Sequence, residues 1–153
     1  MLNKAENKIV DVIAVSSLAG FDIRRAALAI GVFDGVHLGH QLLLERLCKM
    51  ADELDAVPCA LTFFPHPRQV LTPEKAPPFL LAPEQKLQLL HRFGMKAVVT
   101  LPFTREFALQ GPEDFIANCL RSDSVEITGI AVGANWHFGR GGSGTTADLE
   151  RIA

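Results

Sequence analysis

The sequence predicts an α/β fold in which helices cover a parallel sheet. Two patterns point to it: apolar runs without the period-two alternation of a half-exposed strand, and amphipathic helical stretches set between those runs. Size and composition agree. The 153 residues match one compact domain. A hydrophobic content of 48% against 21% charged residues supplies a core and excludes disorder as the main state.

The run Ile9 to Leu18 is rich in Val and Ile and reads as the first strand. Ala26 to Phe33 is the second, closed by Asp34-Gly35. After Gly39, the apolar residues Leu42, Leu43, Leu47 and Met50 recur at helical spacing, with Glu45, Arg46, Lys49 and Glu53 between them, which predicts an amphipathic helix. Val57 to Phe64 is the third strand, stopped by Pro65 and Pro67, which cannot donate to a ladder. A long loop, His66 to Leu81, follows; loops of this length often serve a site. Pro83 opens a helix through Leu87, Leu89, Leu90 and Phe93 that ends at Gly94, and Lys96 to Leu101 is the fourth strand. Pro112 to Leu120 reads as a helix and Val125 to Val132 as a strand. The glycine-rich loop Gly139 to Gly144 precedes the last segment, Thr146 to Ile152. There is no repeat and no linker, so the pattern is that of one domain.

Fifteen Lys and Arg against seventeen Asp and Glu, with no dense basic run, exclude a dedicated nucleic-acid binder. Cys48, Cys59 and Cys119 are odd in number and far apart, and read as buried thiols of a reduced compartment. Lys4, Glu6, Lys8 and Asp11 interrupt any signal-peptide core, and no apolar stretch is long enough to span a bilayer. The expectation is a soluble cytoplasmic protein with no membrane partner; no oligomeric state follows from the sequence.

Parallel sheets bind ligands at the carboxyl ends of their strands, so the loops after Phe33, Phe64, Leu101 and Val132 should share one rim. Gly31-Val32-Phe33-Asp34-Gly35-Val36-His37-Leu38-Gly39-His40 joins a strand end, a tight turn and a helix start. Gly35 is expected to take a backbone turn forbidden to other residues, and Gly39 to admit a ligand close to the first helical turn. The unpaired amides of that turn attract anions, and His37 and His40, three apart, can both bond polyphosphate oxygens. The same spacing suits half a zinc site, for which no third and fourth ligands are at hand, or a plain helix cap. The strand–turn–helix context favours phosphate.

Gly139 to Thr146 fits two phosphate-binding patterns by letter. For the dinucleotide pattern it does not directly follow its strand and lies too near the end of the sequence for an acidic ribose ligand; for a P-loop, Thr145 stands where Lys belongs. Arg140 is the charge left in that loop, either for a phosphate or as a solvated turn residue. His66, between Pro65 and Pro67, either faces a ligand or stabilises its own turn.

The Gly31 to His40 segment resembles the signature of the FAD synthetases, Gly-x-Phe-Asp-Gly-x-His-x-Gly-His, with every fixed position matched. The likeness continues at Thr62-Phe63-Phe64-Pro65-His66-Pro67, at Leu101-Pro102-Phe103 with Phe107-Ala108, at Glu113-Asp114-Phe115-Ile116, and from Val132 to Gly139. His-x-Gly-His alone marks the wider nucleotidyltransferase superfamily; the combination is similar to its FMN adenylyltransferase module. The resemblance implies a Rossmann-like sheet of nucleotidyltransferase type, transfer of the adenylyl group of ATP to FMN giving FAD and pyrophosphate, and use of magnesium. His37, His40 and Asn135 would then be catalytic. Gly31, Phe33, Asp34 and Gly39 would join the two histidines and Arg140 around ATP, and Asn135 would lie beside the metal. Thr62, Phe64, His66, Pro67 and Trp136 would face the flavin. On residue type alone, Phe63, Phe64, Phe103 and Phe107 read as core rather than flavin-stacking rings.

The sequence departs from the family in two places. Gly142 or Ser143 stands where the glycine-rich loop usually carries a second basic residue, and the later signature Ile-Ser-Ser-Thr-x-x-Arg is absent. Residues 1–153 are therefore expected to form a single FMN adenylyltransferase-like domain, incomplete at its C-terminus and without the riboflavin kinase domain of bifunctional members. The alternatives are a silent flavin or nucleotide binding module, a fragment needing further residues for activity, and a nucleotidyltransferase with another phosphate-bearing acceptor.

Overall fold

The computed structural model describes residues 12–13, 18, 23–35, 38–76, 81–133, 137–145 and 147. Its strands are β1 (Val12–Ile13), β2 (Arg25–Ile30), β3 (Val57–Phe64), β4 (Ala97–Pro102) and β5 (Glu126–Ala131). They form one sheet in the order β1-β4-β3-β2-β5, with every pairing parallel. The helices are α1 (Leu38–Leu54), α2 (Pro67–Leu71), α3 (Pro83–Arg92), α4 (Arg105–Ala108) and α5 (Pro112–Phe115), the last widening into a π turn over Ile116–Leu120. This is the expected Rossmann-like α/β architecture.

Both faces of the sheet are covered, which explains the continuous apolar runs. In β2 all of Ala26 to Ile30 are buried. Ala27 and Ala29 face one layer with Ala60, Leu44, Leu47 and Leu90, where alanines let α1 and α3 lie close to the strands. Ala26, Leu28 and Ile30 face the other, with Leu61, Phe63, Phe115 and Ile116. Leu18 is fully buried in this second layer.

The structure corrects the sequence expectation at several points. The buried stripe of α1 is Leu44, Leu47 and Ala51, with Leu43 and Met50 on its flanks and Leu42 51% exposed, because the sheet meets the helix on the face centred on Leu47. The segment after Pro65 is not all loop: Pro67 opens α2 and Pro73 opens a 3₁₀ turn to Lys75, positions where a missing N–H costs nothing. Strand β2 stops at Ile30, short of Phe33, whose φ of 52° is incompatible with an extended chain. Of the first predicted strand only Val12–Ile13 pairs among the described residues. Of Thr146 to Ile152, all but Ala147 lies outside the described residues.

No helix among the described residues is long and apolar enough to cross a membrane. The three cysteines are free, and burial pushes the thiols of Cys59 and Cys119 up to about 12 and about 11, which keeps them protonated and unreactive.

The topology also locates a crevice. The chain steps from β2 to β3 to β4 in one direction, then returns to lay β5 on the opposite side of β2. The carboxyl ends of β2 and β5 therefore flank the switch point where open parallel sheets bind ligands.

Candidate nucleotide site

Beyond Ile30 the chain leaves the sheet through one last bond, from Gly31 N–H to the Leu61 carbonyl at 3.1 Å, and then turns. The left-handed residue of this turn is Phe33; Gly35, expected to need that conformation, does not adopt it. The Phe33 ring folds back over Gly31, where an added Cβ would come within 3.2 Å of it, and is fully buried. It meets the His40 ring edge-on at 5.0 Å. The turn is thus locked to the first turn of α1, where Gly39 is exposed and His40 half-buried.

Asp34 leaves the turn toward His66, with Oδ2 3.4 Å from Nε2. His66 Nδ1 accepts a hydrogen bond from the Arg68 N–H at 3.0 Å, capping α2. That bond assigns the ring proton of the neutral form to Nε2, facing Asp34. His66 thus stabilises its own turn, one of its two sequence readings, while its other nitrogen faces Asp34.

Beneath the turn, the Val32 carbonyl accepts from the Thr62 hydroxyl and from Lys86 Nζ, each at 2.8 Å, and Lys86 also donates to Thr62 Oγ1 at 3.3 Å. Thr62 and Lys86 are both buried. Burial lowers the Lys86 pKa, with the Asp34 carboxylate opposing it.

Beside the turn lies an apolar hollow of about 350 Å³, walled by Phe63, Phe103, Phe107, Phe115, Phe138 and Pro67. The rings meet edge-on or tilted, with centroids 5.3–6.1 Å apart. The glycine-rich loop closes one side. Phe138 and Gly144 exchange backbone hydrogen bonds across its neck, and a 3₁₀ turn from Arg140 to Gly142 forms its tip. Gly139, at φ 79°, lies against the Pro112 backbone, where an added Cβ would stand 3.0 Å from the Pro112 nitrogen. A second, larger hollow of about 790 Å³ opens at the other end of the sheet, among Arg24, Arg25, Asp55, Asp123 and Glu126.

Of the residues expected at the site, the structure brings Gly31, Phe33, Asp34, His40, Thr62, His66 and Pro67 together at the carboxyl ends of β2 and β3, with Phe64 exposed on the rim. Thr62 spends its hydroxyl inside the turn. His37, Asn135 and Trp136 lie outside the described residues. Lys86 was missed by sequence reasoning. Its one signal is phase, since it stands four residues before Leu90 on the buried stripe of α3.

The family model described as FAD synthetase matches residues 21–153. The chain belongs to the FAD synthetase family. A bifunctional riboflavin kinase/FMN adenylyltransferase of Listeria monocytogenes is 32% identical over 127 residues, covering 82% of this chain and 40% of that protein. A FAD synthetase of the same species is 33% identical over 121 residues, covering 78% and 48%. A crystal structure named for a macrolide-efflux protein from Streptococcus pneumoniae superposes with a TM-score of 0.77 at 26% identity, covering 94% of this chain and 47% of that one. The chain spans less than half the length of these FAD synthetase relatives and of that structure.

Proposed function

We propose that this chain carries the adenylyl-transfer site of a FAD synthetase, joining ATP and FMN to give FAD and pyrophosphate. A phosphate oxygen of FMN attacks the α-phosphorus of ATP; the new P–O bond forms as the bond to the β-phosphate oxygen breaks, and pyrophosphate leaves in line. No enzyme nucleophile takes part, so catalysis rests on positioning and on donors that meet growing negative charge. The observation that carries this reading is the convergence, at the switch point of the sheet, of an anion-ready turn and an aromatic hollow, in a chain of this family.

The turn Gly31 to Asp34 and the start of α1 hold the ATP phosphates, with His40 donating from a ring fixed by Phe33. His37, Asn135 and Arg140 complete this set in our reading. The hollow suits the isoalloxazine, being of ligand size and mainly apolar in its walls, with Gln110 and His137 as polar groups. Phe63, Phe103 and Phe107 belong to or pack against the core cluster, as residue type suggests, and in our reading they also line the flavin site. Pro67 lines it, and Thr62, Phe64, His66 and Trp136 complete the flavin side in our reading.

Among the described residues no three His, Cys, Asp or Glu side chains converge as a metal cage. Magnesium carried by a nucleotide needs no cage, since substrate oxygens and waters supply most of its ligands and one or two protein groups the rest. Asp34 is an acidic group of suitable chemistry at this rim, and Asn135 the polar group assigned beside it. When bound, the ion would neutralise triphosphate charge. Three free cysteines and these substrates suit a soluble enzyme of the cytoplasm.

The test is to mix the protein with ATP, magnesium and FMN and to follow FAD and pyrophosphate. Equimolar appearance of both supports the reading. FMN binding without FAD over hours overturns it in favour of a binding module.

A further inference from the structure

The sheet-facing stripe of α3 contains a charge where an apolar residue is the rule. Lys86 is 8% exposed, one helical turn before the fully buried Leu90. Such burial is costly unless the ammonium is well hydrogen-bonded. Its acceptors are the Val32 carbonyl and the Thr62 hydroxyl, and Thr62 itself donates to the same carbonyl. Two donors therefore converge on the oxygen immediately before Phe33. A left-handed backbone is unfavourable for phenylalanine and persists where the surroundings over-determine it. The clamp on Val32 and the burial of the Phe33 ring fix the residue from both sides.

We propose that Lys86 is a positioning residue of the adenylyl-transfer site: its ammonium holds the Val32 carbonyl, and through it the left-handed turn that sets Asp34 against His66 and the Phe33 ring against His40. This rests on the reading of that turn as the ATP site. Lys86 touches no reacting atom; it acts through the two side chains that the turn presents. A neutral apolar residue of similar length fills the same space and leaves the carbonyl with Thr62 alone, so the turn loosens while the core stays packed.

The experiment compares wild type with Lys86→Met and Lys86→Gln. Three quantities are read: hydrogen exchange at residues 31–35 without ligand, equilibrium binding of a non-hydrolysable ATP analogue with magnesium, and kcat and KM for FAD formation. In Lys86→Met, exchange at 31–35 should quicken by about tenfold while β3 and β4 keep their protection. The ATP analogue should bind more weakly. The kcat should fall about ten- to a hundredfold with KM for FMN nearly unchanged, as expected when reacting groups are displaced but the acceptor site is not. Lys86→Gln, which keeps a donor without the charge, should fall between the two, and it carries the test if the Met variant does not fold. Wild-type exchange at 31–35 overturns the proposal. So does faster exchange spread over the whole sheet with unchanged kcat per folded molecule, the signature of a purely structural lysine. Should the wild type form no FAD, the functional reading fails, and the ligand-free exchange alone decides whether Lys86 holds the turn.

Discussion

The two ends of the sheet solve opposite problems with similar residues. At the amino ends, Arg25 reaches Glu126 at 3.0 Å and the carbonyls of Leu54 and Asp55, in a wide hollow where the ion pair stays 42% and 65% exposed. At the carboxyl ends a lysine and a threonine are buried and spend their donors on one backbone carbonyl. The larger hollow is at the amino end, yet its Arg25–Glu126 pair is solvent-exposed, whereas the smaller one sits beside polar groups brought out of water at a cost. In our proposal the site is therefore marked by buried polar groups aimed at a turn rather than by cavity size.

That contrast predicts where substitutions matter. The largest effect is expected for His40→Ala, which in the proposed mechanism removes a donor to developing phosphate charge. FAD formation should slow about 10²–10³-fold, close to 3 kcal/mol, with FMN affinity nearly intact. Equal rates for mutant and wild type would remove the carboxyl-end turn from the chemistry.

Next comes Gly144→Ala. Its new Cβ would lie 2.7 Å from the buried Phe138 ring, and such overpacking costs about 1–3 kcal/mol. The denaturation midpoint should drop and KM for FMN should rise as the wall of the hollow shifts. A midpoint equal to that of the wild type would show that the loop yields freely.

Lys86 gives a pH signature with opposite signs for stability and rate. Desolvation sets its folded pKa below the value of 10.5 for a free lysine, with the Asp34 carboxylate, itself facing His66, partly restoring it. Between the two values the unfolded chain holds more protons, so this group's contribution to stability rises with pH until 10.5 is passed. Over the same window the ammonium on the Val32 carbonyl is lost and FAD formation should fall. Denaturation and rate profiles of wild type and Lys86→Met check this; the mutant should lack both trends.

Glu126→Gln should do least, costing less than about 1 kcal/mol because the pair is exposed, and leaving turnover as it was. Loss of activity in this variant would erase the distinction between the two ends.

The order of strands and helices was legible because apolar periodicity reports burial on both faces, and β3 ran over the whole predicted stretch Val57–Phe64. Finer features depended on partners far away in sequence. The choice of Leu47 rather than Leu42 as the buried edge of α1 is made by the sheet, and the left-handed backbone fell on Phe33 rather than Gly35 because ring burial and the clamp on Val32 outweigh local preference. The motif from Gly31 to His40 pointed to the family, and so to the proposed site, by letters alone. Lys86 could not be read that way, since one lysine in a helix of alternating polar and apolar residues looks like any solvated one until the strands beneath it are in place.

The seam between β2 and β5 has a consequence for synthesis. Arg25 and Glu126, which face each other across it, are 101 positions apart. On the ribosome β2, β3 and β4 emerge in order and each finds its neighbour soon after, but the far wall of the crevice arrives last. A nascent chain that has made only β2, β3 and β4 therefore lacks one wall of the crevice, and the two sides of the switch point meet only once the fifth strand docks.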